Sequence, residues 1–105
     1  EFKNQFRVTC FNPGFIPETS LTRNIDPERK KGMIEHAKDL RRELSVSGGD
    51  LAKLVNPNET GIISGSYYDG KEKKNSSDES YEVEKQVELW ESSKNLIKKD
   101  SEFFL

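Results

Sequence analysis

A single cysteine, Cys10, excludes an internal disulfide, and its place in an apolar run predicts a small buried hydrophobe in a reducing compartment. Charge of one sign is also scarce. Seventeen basic against nineteen acidic side chains leave a formal charge of −2, which gives no electrostatic reason to expect a nucleic acid partner. No stretch approaches the roughly 18 uninterrupted apolar residues of a membrane span. The N-terminus lacks the charged-then-apolar plan of a signal peptide, so the expectation is a soluble, cytoplasmic protein. Apolar residues make up only 31% of the 105, against 34% charged, which predicts one small domain with a modest core and no room for a complete two-site enzyme. No internal repeat is visible.

What is present reads as alternating strands and helices. Phe6 to Phe11 is rich in β-branched and aromatic residues and stops at Asn12-Pro13-Gly14, which predicts a strand closed by a proline that donates no ladder hydrogen bond. Asp26-Pro27-Glu28 predicts a helix start. Asp caps, Pro is pre-set for the first turn, and Glu complements the positive helix end. Met33, Ala37, Leu40 and Leu44 then form an apolar stripe on a helix expected to reach about Glu43, its other face wet. A short second helix follows from Ser47 to Val55, ended by Asn56-Pro57-Asn58.

The run Gly61 to Tyr68 predicts a second strand, closed by the turn pair Asp69-Gly70. Lys71 to Ser80 is charged and Ser-rich and is expected to be a mobile loop. Val83, Val87, Trp90 and Ile97, with Lys94 on the same face, predict a third helix from about Asp78 to Lys99 whose apolar stripe is core. Phe103-Phe104-Leu105 then ends the tail and is expected to pack back or to contact another chain. The fold class is therefore α/β, in the order strand, helix, helix, strand, helix, with two parallel strands and a right-handed crossover.

Three segments together resemble the C-terminal part of the short-chain dehydrogenase/reductase family. They are Phe6 through Leu21 with its Pro13-Gly14 turn, the strand end Tyr67-Tyr68-Asp69-Gly70, and the helix carrying Leu89-Trp90-Glu91. The helix, and the spacing of Pro13-Gly14, four residues, Thr19 and then Leu21, are similar to its retinol dehydrogenase-like and protochlorophyllide reductase-like branch. The resemblance covers nearly the whole chain and implies a fragment of a Rossmann-type doubly wound fold. Residues 1–14 match a strand and cofactor turn, 15–46 a substrate loop or lid, 47–70 a short helix and last strand, and 81–105 the C-terminal helix and tail.

It implies that Asn12, Pro13, Gly14, Ile16 and Thr19 contact the nicotinamide end of NADP or NAD. Phe15, Met33 and Leu40 are the implied substrate-lining residues. The family's Gly-rich loop and its catalytic Ser and Tyr-x-x-x-Lys lie upstream of these segments and have no counterpart here, so no catalytic residue is assigned. The expectation is a chain that is inactive alone and binds no cofactor by itself. A chain start at Glu1, without methionine, fits a fragment. An interaction module that keeps this half of the fold as a binding surface is the alternative.

Three features have weaker claims. Tyr67 to Lys71 satisfies Tyr-x-x-x-Lys, but on a strand and turn, where positions four apart need not share a face, so a stand-alone enzyme is a remote third reading. His36 stands mid-helix with no second strong metal ligand in view. Arg29-Lys30-Lys31 and Arg41-Arg42 are interleaved with carboxylates and read as a solvated face. A two-stranded parallel sheet with an open edge is too small to stand alone, which predicts self-association or strand exchange.

Overall fold

The computed structural model describes residues 6–100, with side chains through residue 98. The chain forms two compact units, one ending at Lys74 and the other beginning at Asn75.

The first unit is built on a three-stranded sheet of β1 (Cys10–Asn12), β2 (Tyr67–Asp69) and β3 (Glu72–Lys74) in the order β1-β2-β3. β1 runs parallel to β2 with Cys10 opposite Tyr67 and Asn12 opposite Asp69. β3 returns antiparallel, placing Lys74 opposite Tyr67 and Glu72 opposite Asp69. The architecture is mixed α/β, as the residue pattern predicts, but the sheet has three strands rather than two. The extra strand lies in the stretch expected to be a mobile loop. Gly70, at φ 63°, lets the chain reverse through Gly70-Lys71, and the hairpin so formed gives residues 72–74 a ladder to join.

Both parallel strands are shorter than predicted and displaced toward their C-terminal ends. Ahead of β1, pairing is irregular. Val8 accepts from Gly65 N–H at 2.7 Å through its carbonyl, and its own N–H donates to the Ser64 hydroxyl at 3.0 Å. Gly65 has φ 83°, a left-handed geometry that breaks the run Gly61 to Tyr68, leaving only its end as β2. Cys10 is exposed at the sheet edge rather than buried, because β1 has no described strand on its outer side to cover it.

Between β1 and β2 lie two helices, α1 (Pro27–His36) and α2 (Leu44–Val55). α1 starts where its signals predict: Asp26 accepts from Arg29 N–H at 3.3 Å and Pro27 opens the first turn. It stops at His36 instead of about Glu43. Residues 38–40 form a 3₁₀ turn, and Arg41 is drawn into extended backbone by a bridge to Phe15. Tertiary pairing overrides helical periodicity there, and the stripe of Met33, Leu40 and Leu44 remains exposed.

α2 begins three residues before Ser47, carries Gly48 and Gly49 inside it, and ends at Asn56, whose extended backbone precedes Pro57. Its last carbonyls are held from a distance. The Arg7 guanidinium donates to the carbonyls of Leu54 (2.9 Å), Asn56 (2.8 Å) and Glu59 (3.3 Å), a cation placed at the negative end of the helix. Leu54 (6% exposed) and Tyr68 (4%) are the buried large apolar side chains among the described residues, so the core is very small. The Tyr68 hydroxyl accepts from Ile63 N–H at 3.1 Å, which satisfies the polar tip of a buried ring.

The second unit is a 3₁₀ turn at Asp78–Tyr81 followed by α3 (Val83–Asp100). The turn, expected as the first part of the helix, is fastened by the Tyr81 hydroxyl accepting from Ser76 N–H at 2.9 Å. Gln86 holds the helix start to it, donating from Nε2 to the Ser80 carbonyl at 2.8 Å. The α3 stripe is not core: Val83, Val87, Trp90 and Ile97 are all exposed. Lys94 stands 6.0 Å from the Trp90 ring centroid and pairs with Glu91 at 2.7 Å. Phe103, Phe104 and Leu105 lie outside the described residues.

Candidate functional site

The carboxyl ends of β1 and β2 adjoin, and chemistry-bearing residues gather there. Asn12 folds its own turn by accepting from Gly14 N–H through Oδ1 at 2.9 Å, while its Nδ2 donates to the Tyr67 hydroxyl at 3.0 Å. Gly70 N–H donates to the Asn12 carbonyl at 3.1 Å, joining the two strand ends. The Pro13 carbonyl accepts from the Ser47 hydroxyl at 2.9 Å, so a buried side chain of α2 fixes the next peptide of the turn. Gly14 has φ 81°, and a Cβ placed there would stand 2.7 Å from Arg42 Cδ. Only glycine satisfies both the backbone and the space.

The chain then turns into a segment whose two ends meet. Phe15 N–H donates to the Leu40 carbonyl at 3.1 Å, and Arg42 N–H donates to the Phe15 carbonyl at 2.8 Å. Above this neck the Arg42 side chain crosses back over the strand ends. Its guanidinium donates to the Asn12 carbonyl at 2.8 Å and to the Asp69 carboxylate, whose other oxygen takes Lys74 Nζ at 3.2 Å. The Arg42 guanidinium, and after it the Lys74 ammonium, hold the Asp69 carboxyl below the usual carboxylate range. Glu18 is lowered chiefly by its hydrogen bond from Arg41, at an exposed position.

An open cleft of about 510 Å³ results. Asn12, Gly14, Phe15 and Leu40 line it, together with Arg41, Arg42, Asp39 and Asp69, which sequence reasoning did not assign to a site. Pro13, Ile16 and Thr19 are not among its lining residues. The Thr19 hydroxyl donates to the Ile16 carbonyl at 3.0 Å, a local turn bond that gives it a structural task in this chain. Met33 sits on α1, partly exposed, and is not a lining residue.

Arg42 is the main residue that sequence reasoning misplaced. Its neighbours Asp39, Arg41 and Glu43 are exposed, as a mixed-charge face predicts, but its own side chain is 27% exposed and carries bonds to both strand ends. The signal available was weak: one arginine at the end of a long crossover, and the only acid in the strand-end run Tyr67 to Gly70.

Tyr67 and Lys71 do not share a helix face, since Tyr67 is in β2, its hydroxyl accepting from Asn12 and its backbone facing Lys74 in register, and Lys71 is in the hairpin loop. His36 ends α1, and among the described residues no cluster of three His, Cys, Asp or Glu has the arrangement of a metal site. The cleft can thus offer a ligand backbone and amide polarity at the strand ends, an apolar wall at Phe15 and Leu40, and a neutralised Arg-Asp pair. It contains no nucleophile with an adjacent base. Compared with known proteins, the chain matches no family model, no curated protein and no solved structure.

Proposed function

We propose that this chain is the C-terminal, substrate-lid portion of an NAD(P)-dependent short-chain oxidoreductase, cytoplasmic and inactive by itself. The observation that carries this reading is the Asn12-Pro13-Gly14 turn, standing where β1 ends beside the parallel β2 and opening onto a cleft. In open α/β sheets, ligands bind outside the carboxyl ends of the strands. In this reading Asn12, Pro13, Gly14, Ile16 and Thr19 contact NADP or NAD, and Phe15, Met33 and Leu40 face the substrate. Hydride transfer and its proton donor come from upstream of the matched segments, where the family keeps its Gly-rich loop and Tyr-x-x-x-Lys.

Burial supports it too. Among the described residues, a sheet with β1 at one edge, a core of two large apolar side chains, and exposed Val8 and Val55 around a groove of about 620 Å³ beside Arg7 and Leu54 suit a piece that others cover. The test is the coding sequence upstream of Glu1. We expect it to encode a Gly-rich loop and a Tyr-x-x-x-Lys helix, and the joined chain to oxidise a nicotinamide cofactor. A reading frame without either motif contradicts the proposal.

The same exposed edge favours a second reading, an interaction module that associates through β1. Light scattering after size exclusion tests the association that the open edge predicts in both readings, with a concentration-dependent dimer supporting it and a stable monomer removing it; the upstream coding sequence is what separates the module from the fragment.

A further inference from the structure

α3 carries an apolar seam on an exposed face. Val83, Val87, Trp90, Lys94 and Ile97 recur at steps of four, three, four and three, the heptad spacing that keeps one stripe turned toward a second helix. Its four apolar members range from 39% exposed at Ile97 to 68% at Val83. Apolar spacing alone does not say what covers a helix; here the charges around the seam do. Lys94 interrupts the seam with an ammonium 6.0 Å from the Trp90 ring centroid. Glu84 and Lys98 flank the seam on one side, each directly following a seam residue, two heptads apart. Both are exposed, and neither has a salt-bridge partner among the described residues, whereas Lys85 and Lys94 pair with Glu79 and Glu91.

We propose that α3 docks antiparallel on α3 of a second copy of this chain, with Trp90 of each helix opposite Lys94 of the other. In that register Val87 faces Ile97, each ammonium lies against an indole, and Glu84 meets Lys98 twice, once on each side of the two-fold axis. Glu91 meets its own equivalent at the axis, where each is already paired with its own Lys94 at 2.7 Å. Other arrangements fail on charge. A parallel pair stacks Lys94 on Lys94 in the seam and sets Lys98 beside Ser93. An antiparallel pair slid by one heptad, with Trp90 opposite Val87, sets Glu84 against Glu91. At 18 residues α3 makes a short seam, so the pair exchanges with monomer rather than being permanent. This docking face belongs to the second unit and the β1 edge to the first, so the two modes of association are separately testable, whatever family the chain belongs to.

Trp90 is the only tryptophan in the chain, so its emission reports on this seam. As the full chain is concentrated, that emission is expected to move to shorter wavelength in step with dimer mass measured by light scattering. Glu84→Lys and Lys98→Glu should each raise the half-dimer concentration about tenfold, because each turns two attractive contacts into two repulsive ones. An equimolar mixture of the two variants is expected to return to within about threefold of the parent, since the mixed pair again sets opposite charges at both places. Any loss from reversed charge at the helix ends persists in the mixture and is thereby separated from the pairing. Emission that ignores concentration, dimers that form without moving it, single variants that associate like the parent, or a mixture no better than either variant alone would each overturn the proposal.

Discussion

Arg42 and Lys31 are both cations in charge-rich stretches of the crossover, eleven positions apart, yet they occupy opposite physical regimes. Lys31 is exposed on α1, a helix that buries none of its residues. Arg42 is mostly covered, and its planar fork reaches a backbone carbonyl on one strand end and a carboxylate on the other. Exposed charges gain little from their neighbours, because water screens the attraction and side-chain entropy opposes it. A partly buried guanidinium with two fixed acceptors gains more and leaves more unsatisfied when removed. Charge pattern in the sequence does not separate these cases; what lies opposite the residue in the fold does.

The contrast can be broken most forcefully at Gly14. Gly14→Ala adds a Cβ where Arg42 lies, at a left-handed backbone angle, and should cost about 2–4 kcal/mol in urea unfolding. Arg42→Ala comes next, with an expected loss of about 2 kcal/mol, whereas Lys31→Ala should stay within about 0.5 kcal/mol of the parent. Equal effects of these two substitutions would erase the distinction.

Acid should reveal the same difference. Asp69 is faced by Arg42 and Lys74, with Glu72 beside Lys74 and Asp50 close to Gly70. Its folded pKa is lowered, so the stability it contributes is fully present above the ordinary carboxylate value and is lost as pH falls through the lowered one. Glu18 has the same sign. Unfolding followed from neutral pH downward should therefore hold steady until about pH 4 and then decline, less steeply in Asp69→Asn.

The smallest expected effect lies away from the strand ends. Gly48 and Gly49 sit inside α2 with open space at both Cβ positions, so each Gly→Ala change should stabilise by about 0.5–1 kcal/mol. Destabilisation by either would mean that the helix is not formed as described.

Local signals were legible where local physics decides. The Asp26-Pro27 start of α1, the Pro57 end of α2 and the Asp69-Gly70 reversal all stand where residue chemistry puts them. The parallel pairing of β1 with β2 was likewise legible from strands separated by helices. What could not be read were features fixed by partners distant in sequence. The Phe15–Arg41 bridge cuts α1 short, and β3 exists only because β2 offers it a ladder. Arg42 became part of the cleft through Asp69, 27 residues away. Apolar stripes misled in a consistent way: Met33 and Leu40 in the first unit and Trp90 in the second have helical spacing, but each is exposed. Of the candidate site, Asn12, Gly14, Phe15 and Leu40 converge on the cleft, while Pro13, Ile16, Thr19 and Met33 do not line it.

The most direct test of the central claim is a fluorescence titration of reduced nicotinamide dinucleotide with this chain alone and with the chain joined to its upstream coding sequence. No saturable binding is expected of the chain alone, and micromolar saturation of the joined protein. Micromolar binding by this chain alone, or none by the joined one, would contradict it.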